Sequence, residues 1–239
     1  KPIEIVYGLE RGAKAVLGVL IACAAAGIII GVVTKTGVGL RLASGLIDLA
    51  GGMLLPAMFF TMITAIVLGM GVPTTANYVI TSTIAAPALV QMGVPILAAH
   101  MFVFYFGIIA DVTPPVALAA YAGAGISGGN ALKTGVHASK LAVAAFIIPY
   151  IFVLSPVILM VDATPLTLIL ATLSALAGMI AVSSALCGFL ADHCRPYERL
   201  LLIIAGLLMI KPGGMTDLVG CAIFAAILAM QYTRAKKAA

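Results

Sequence analysis

Two interruptions in otherwise apolar sequence carry the residues best suited to bind a small cation. The first is Gly69–Thr75, with the sequence GMGVPTT, and the second is Asp111–Pro115, with the sequence DVTPP. Glycine permits unusual backbone angles and proline removes an N–H, so some helical carbonyls are expected to lose their donors. Free carbonyls with nearby hydroxyls suit small hard cations. The two breaks therefore predict an ion site.

Asp111 is the one charged residue in the second break, and two roles are open for it. A carboxylate at the centre of a bilayer costs roughly 2.5–3.5 kcal/mol on insertion scales, so it needs compensation. A bound cation, a proton or solvent in a cavity would supply it. Alternatively, a neutral Asp111 caps the half-helix that follows the break, since Asp is a good N-cap before a proline start.

The composition places these breaks in lipid. Hydrophobic residues make up 63% of the 239 residues and charged residues only 9%, whereas a soluble domain is about a quarter charged. No Asp, Glu, Lys or Arg occurs between Leu49 and Ala110. Irregular backbone at membrane depth survives only where protein or a water-filled cavity covers it. The scattered basic residues suit loops beside a membrane and do not indicate nucleic-acid binding.

The apolar runs predict several membrane elements. The predicted spans are Ala15–Val33, Leu141–Val161, Pro165–Gly188, a short Arg199–Ile210 and Met215–Gln231. Between the first two come an interfacial helix, the two arms of a hairpin, a broken apolar stretch and a cytoplasmic loop, at Leu40–Ala50, Met53–Leu68, Thr75–Met92, Pro95–Ser127 and Asn130–Lys140. The uncharged tip of the hairpin favours a re-entrant turn inside the membrane over the alternative, in which both arms are full spans.

This arrangement puts 10 of the 13 basic residues on the side of the N-terminus, if Arg199–Ile210 crosses the membrane. The positive-inside rule then makes that side, and both termini of the chain, cytoplasmic. Gly123, Gly125, Gly128 and Gly129 are predicted to mark close helix packing followed by a loop. His100 is predicted to be an interhelical hydrogen-bond partner.

The stretches LGMGVPTTANYVITSTIAAPALVQMGV and AAHMFVFYFGIIADVTPPVALAAYAGAGISG, at Leu68–Val94 and Ala98–Gly128, resemble the large membrane subunit of TRAP transporters. More narrowly, they resemble the fused permeases that work with TAXI-type binding proteins. Ala24–Leu40 and the tail Lys211–Leu228 agree with this family. The resemblance implies an elevator-type secondary transporter in which a sodium gradient drives uptake of an organic anion delivered by a periplasmic binding protein.

The resemblance places one sodium site between the hairpin tip and the broken helix. The expected ligands are Gly69, Gly71, Val72, Thr74, Thr75, Asp111, Val112, Thr113 and Pro114. Residues expected to face the substrate are Pro73, Asn77 and Pro115. Many relatives have an uncharged residue at the position of Asp111, so its role depends on the physical argument above. Sodium is the one cofactor expected.

The predicted fold is an all-α polytopic membrane protein, half of an inverted-repeat transporter. Residues 1–163 match the second repeat, with its re-entrant hairpin at 53–92 and its discontinuous helix at 95–127, and residues 164–239 are a C-terminal extension. The first repeat and the small-subunit helices are not visible in this sequence and are expected partners, so the chain is expected to be a fragment of a longer permease. The expected location is a bacterial or archaeal cytoplasmic membrane.

Two other functions are kept as alternatives. A non-transporting assembly subunit would leave substrate flux unchanged when both breaks are mutated. An intramembrane aspartyl hydrolase would need a second carboxylate close to Asp111, but the other acidic residues fall in predicted loops or membrane edges. The sequence therefore favours a transporter and not an enzyme.

Overall fold

The computed structural model describes residues 2–114, 116–210 and 214–238, which are predominantly α-helical. The helices are α1 (Pro2–Thr36), α2 (Val38–Leu49), α3 (Leu54–Gly69), α4 (Thr74–Ile84), α5 (Ala86–Gln91), α6 (Ile96–Ile109), α7 (Leu118–Ser127), α8 (Ala131–Leu141), α9 (Val143–Leu154), α10 (Pro165–Cys187), α11 (Pro196–Ile210) and α12 (Gly214–Ala238). A 3-10 turn, Pro156–Leu159, follows α9. No β-strand occurs in these ranges, as the predicted all-α class requires.

The helices pack into two compact units. The first comprises Lys1–Asp111 with Pro115–Ala119, and the second comprises Val112–Pro114 with Ala120–Ala239. The chain therefore leaves the first unit at the second predicted break. The sequence predicts a different boundary, between the repeat at residues 1–163 and the extension at residues 164–239. That boundary separates sequence repeats and not packing units, and it stays a prediction.

The first unit begins with a long helix, α1, and a sharp bend separates it from α2. α1 continues past the predicted span Ala15–Val33 to Thr36, after which Gly37 adopts a left-handed φ of 66°. The segment Ala24–Thr36 and α2 are bent by 73° relative to each other. α2 confirms the short helix predicted at Leu40–Ala50, while its interfacial position stays a prediction.

The predicted hairpin forms, but its second arm is divided. α3 ends at Gly69 and α4 begins at Thr74. The second arm stops at Ile84 and resumes at Ala86 as α5. Pro87 explains this division, because it has no N–H with which to continue the ladder of α4. α3 contacts both α4 and α5. The depth of the hairpin in the membrane stays a prediction.

The apolar stretch after the hairpin divides into α6 and α7, as predicted. α6 packs on α3 and α4, and the Tyr78 hydroxyl lies 3.0 Å from Nδ1 of His100 between α4 and α6. Phe104 contacts the Tyr78 ring edge-on, with centroids 5.3 Å apart. The interhelical role predicted for His100 is confirmed.

The second unit begins with a helix where the sequence predicted a loop. Asn130–Lys140 was expected to be irregular, but Ala131–Leu141 forms α8. The Asn130 side chain accepts the Lys133 N–H at 3.0 Å and so caps the helix. The loop prediction is wrong because the polar residues of this segment cover an exposed helical surface rather than a turn.

Glycines bring α10, α11 and α12 close together. A Cβ on Gly178 would lie 3.0 Å from the Gly206 carbonyl oxygen, and one on Gly220 would lie 2.8 Å from the backbone of α11. In contrast, a Cβ on Gly123 or Gly125 would meet nothing within 4 Å. The close packing predicted at these two positions is therefore wrong for the part of the chain that the structure describes.

Three helical stretches in the described ranges are long and apolar enough to cross a membrane: Ala131–Leu154, which runs through α8 and α9, Pro165–Cys187 and Gly214–Arg234. The bent pair of α1 and α2 adds a fourth if it forms one span. α11 has 15 residues, which gives an axial length of about 22 Å, shorter than the roughly 30 Å hydrocarbon core. The predicted sidedness needs α11 to cross and stays a prediction, and Lys211, which it counts, lies outside the described residues.

Candidate functional site

A cavity in the first unit brings Asp111 to the tip of the hairpin. Its volume is about 490 Å³. Its lining residues are Gly71, Val72, Pro73, Asp111, Leu118 and Ala119. Four of these were predicted site residues, and the other two begin α7. The sequence did not single out Leu118 and Ala119, because nothing in their residue types distinguishes them from the surrounding apolar chain.

The hairpin tip is irregular in the way its glycines predict. Gly71 has a φ of 71°, which a residue with a Cβ adopts only under strain. The Met70 N–H lies 3.4 Å from the Val67 carbonyl, and the Val72 N–H lies 3.5 Å from the Gly69 carbonyl. These hydrogen bonds are long, so the carbonyl oxygens at the end of α3 keep capacity for another ligand.

Two helices begin at this cavity. Pro73 is the N-cap residue of α4, and Leu118 is the first residue of α7. Thr74 and Thr75 form the first turn of α4 and are exposed. The unpaired N–H groups of a helix N-terminus carry partial positive charge and attract anions. The rim therefore offers two positions suited to a carboxylate.

The carbonyls of the second break are less free than the sequence suggested. The Asp111 carbonyl accepts the N–H of Ala119 at 3.0 Å, and the Val112 carbonyl accepts the Ser139 hydroxyl at 3.3 Å. The general expectation that carbonyls at the breaks lose their donors is therefore wrong for these two, because the segment after α6 folds back on itself and α8 supplies a hydroxyl. Each carbonyl oxygen still has a second lone pair.

The Asp111 side chain is half-buried, and it has no ion-pair partner in the described part of the chain. It does not occupy the N-cap position of α7, which begins at Leu118. The alternative role as a helix cap is therefore wrong. Within the described residues no basic side chain compensates this carboxylate, which leaves solvent, a proton or a bound cation as candidates.

The remaining residues of the second break fall elsewhere. Thr113 is 9% exposed and belongs with Val112 and Pro114 to the second compact unit. Pro115, predicted to face the substrate, lies outside the described residues. Their predicted part in the site stays a prediction.

Asn77, also predicted to face the substrate, is 2% exposed and lies between two glycines. A Cβ on Gly107 would be 2.5 Å from its Oδ1, and a Cβ on Gly69 would be 2.8 Å from its Nδ2. Among the described residues, Oδ1 accepts no hydrogen bond. A buried acceptor without a donor is costly, so this oxygen is suited to receive a water molecule or a cation.

A polar cluster in the second unit escaped sequence prediction. Glu198 is fully buried. Its carboxylate accepts the Arg195 N–H at 2.9 Å, Nε2 of Gln231 at 2.8 Å and Nη1 of Arg234 at 2.9 Å. Arg234 also donates to Asp192 at 2.7 Å. Sequence reasoning had assigned both carboxylates to loops or membrane edges.

The cluster keeps its carboxylates ionised. Burial acts to raise the pKa of Glu198, but the Arg195 N–H together with Arg234 and Gln231 outweighs it and lowers that pKa. The hydrogen bond from Arg234 lowers the pKa of Asp192. The contact between Glu198 and the Arg195 N–H could have been predicted from the local sequence. A helix that starts Pro-Tyr-Glu has Glu at position N3, where its side chain reaches back to the N-cap N–H. The contacts of Glu198 with Gln231 and Arg234 on α12 could not have been predicted this way, because these residues are distant in sequence.

Comparison with protein families decides what kind of protein this is. The family described as "Tripartite ATP-independent periplasmic transporter, DctM component" matches residues 3–166, more than half of the chain. The chain belongs to the DctM family. Comparisons with curated proteins and with solved structures gave no match.

DctM membership fixes the general role. The protein is a permease component of a tripartite, ATP-independent transporter, and the family implies a periplasmic binding protein and a small membrane subunit as partners. It also implies a multi-pass inner-membrane location and a transport role rather than an enzymatic one. The match includes the cavity and both breaks, whereas α11 and α12 follow it in sequence.

Proposed function

We propose that this DctM permease component takes part in sodium-coupled uptake of an organic anion such as a carboxylate. In this proposal the substrate is delivered by a TAXI-type binding protein. The chain supplies the second of two inverted repeats that move as an elevator, together with a first repeat and small-subunit helices. The observation that carries the proposal is the cavity where a carboxylate, without an ion pair in the described part of the chain, meets broken backbone and two helix N-termini.

The cation side of the proposal depends on Asp111. Among the described residues, no protein cation pairs with this carboxylate, and in a chain this apolar its charge carries a free-energy cost that a bound Na⁺ offsets. The weakly bonded carbonyls of Val67 and Gly69 at the end of α3 are oxygen ligands of the kind Na⁺ accepts. The orphan Oδ1 of Asn77, packed against Gly69, adds an acceptor behind the hairpin tip.

The anion side depends on helix ends. α4 and α7 both begin at the cavity, and a substrate carboxylate there would receive N–H groups rather than a basic side chain. A cation bound beside these positions would add to their attraction for an anion. This gives a physical reason for sodium and substrate to bind together and hence for coupled uptake.

The experiment is uptake by the complete transporter, reconstituted in proteoliposomes with its binding protein and small subunit. We expect labelled carboxylates to enter under an inward sodium gradient and not under a potassium gradient of the same size. A proton gradient without sodium serves as a third arm. Uptake driven by protons alone, or by no ion gradient, would contradict sodium coupling.

A pair of glycine variants tests whether sodium-driven uptake depends on the cavity. Gly71→Ala and Gly93→Ala both place a Cβ on a left-handed residue, with φ of 71° and 87°, and neither Cβ meets an atom within 4 Å. Only Gly71 lines the cavity. We expect sodium-driven uptake to fall at least about tenfold in Gly71→Ala, which corresponds to about 1.4 kcal/mol, and to persist in Gly93→Ala. Unchanged flux in Gly71→Ala would favour a non-transporting assembly role.

A further inference from the structure

A second surface of the protein combines basic and apolar residues. In the second unit, a groove of about 610 Å³ is lined by the basic side chains of His137, Lys140 and Arg199. Its other walls include Leu141 and Leu186. None of the described residues that line this groove is a carboxylate, so its electrostatic character is positive.

The groove lies where several helices begin or end. Lys140 is in the last turn of α8, and Leu141 precedes the apolar run of α9. Leu186 is in the last turn of α10, and Arg199 is in the first turn of α11. Basic residues at the ends of apolar helices sit at the boundary between hydrocarbon and water. The groove therefore combines basic side chains, suited to the headgroup region of a membrane, with apolar side chains, suited to its hydrocarbon region.

The Arg199 side chain is held in place by two backbone carbonyls and not by a carboxylate in the described ranges. Its Nε donates to the Ala185 carbonyl at 2.6 Å, and its Nη2 donates to the Leu186 carbonyl at 2.8 Å, at the end of α10. The adjacent Glu198 is engaged by Gln231 and Arg234. In the described ranges, no carboxylate pairs with Arg199.

Lys140 is exposed and likewise forms no ion pair within the described residues. Leu141 beside it is 77% exposed. A soluble anion would gain nothing from such an apolar wall, whereas the acyl chain of a lipid would cover it. Charge and hydrophobicity thus favour the same occupant.

We propose that this groove binds an anionic phospholipid. The headgroup phosphate contacts Lys140 and Arg199, His137 lies at the rim, and an acyl chain follows Leu141 and Leu186. Basic pockets between membrane helices attract anionic headgroups, and each basic residue near the surface contributes measurably. The proposal does not depend on the ion that drives transport or on the substrate.

The test measures lipid binding to the complete permease by native mass spectrometry. The probe is dioleoylphosphatidylglycerol, and dioleoylphosphatidylcholine is the zwitterionic comparison. We expect preferential retention of the anionic lipid, weakened about fivefold in Lys140→Gln. The matched control is Lys133→Gln, an exposed lysine of the same helix that does not line the groove, which should bind like wild type.

Four results would overturn the proposal. Three of them come from the lipids and variants: equal retention of both lipids, unchanged binding in Lys140→Gln, and an equal loss in Lys133→Gln, which would indicate general surface charge. The fourth comes from a soluble competitor. Glycerol 1-phosphate is added as a competitor, and full displacement by it at equal concentration would indicate a soluble-anion site instead. A melting temperature measured for each variant confirms that it is folded.

Discussion

Asp111 and Glu198 show two outcomes for a carboxylate in a strongly apolar chain. Glu198 is fully buried but surrounded by donors, including Arg234. Asp111 is half-buried, lines a cavity and has no ion pair in the described ranges. A buried charge whose hydrogen bonds are satisfied fixes one conformation, whereas an uncompensated one is suited to a ligand. We therefore assign Glu198 to stability, and a functional role for Asp111 stays our proposal.

The cluster around Glu198 predicts acid sensitivity of the second unit. The pKa values of Glu198 and Asp192 are lowered in the folded state. The folded protein therefore binds fewer protons than the unfolded chain, so this stabilisation is present above the ordinary carboxyl pKa and is lost as pH falls through the folded values. We expect the melting temperature of the detergent-solubilised protein to decrease as the pH is lowered from about 5 to about 3.

A double variant tests the assignment. Glu198→Gln with Asp192→Asn should melt lower than wild type at neutral pH, because the charge of Arg234 loses both partners, and should lose less stability on acidification. Glu10→Gln is the control, since Glu10 forms an exposed pair with Lys14, and such pairs contribute little. An unaltered acid profile in the double variant would contradict the assignment.

At the scale of elements, contact between helices depends on a few glycines. α3, α4 and α6 meet where Gly69, Asn77 and Gly107 are in contact. Neither glycine has room for a Cβ, so Asn77 is enclosed by backbone. This contact fixes α4, whose N-terminus opens on the cavity, and so links packing to the candidate site.

Gly107→Ala should therefore destabilise the first unit. Its Cβ would lie 2.5 Å from Oδ1 of Asn77, and forced movement of a packed group costs roughly 1–3 kcal/mol. Gly123→Ala is the control, because its Cβ meets nothing within 4 Å and helix propensity favours Ala. Thermal unfolding of both variants checks this, and equal melting temperatures would contradict the packing argument.

Local signals predicted much of the helical architecture. Gly71 and Pro73 located the hairpin tip, and the DVTPP segment located the break after α6, because glycine and proline act on their own backbone. Asn130 was also a local signal, because Asn is a favoured N-cap residue. The polar composition of the following residues nevertheless led to the prediction of a loop instead of α8. Long-range pairings could not be predicted, since nothing near Glu198 indicates Arg234.

At the scale of the whole molecule, the chain is a DctM permease component whose cavity contains residues from both interruptions. Family membership gives the transport role, and we propose the cavity as the place where the transported ion and substrate bind. Sodium, the anionic substrate and the elevator motion are our proposals. They share one requirement, which is a cation bound beside Asp111 and the hairpin tip.

The most direct test is the melting temperature of the complete permease in sodium and in potassium, with Asp111→Asn and a matched control, Asp48→Asn, whose carboxylate is exposed on α2. At a sodium concentration of about ten times Kd, we expect wild type to gain on the order of 3 °C over potassium. Asp48→Asn should keep this gain and Asp111→Asn should lose it. An equal sodium-dependent gain in Asp111→Asn, or none in wild type, would contradict a cation site at this cavity.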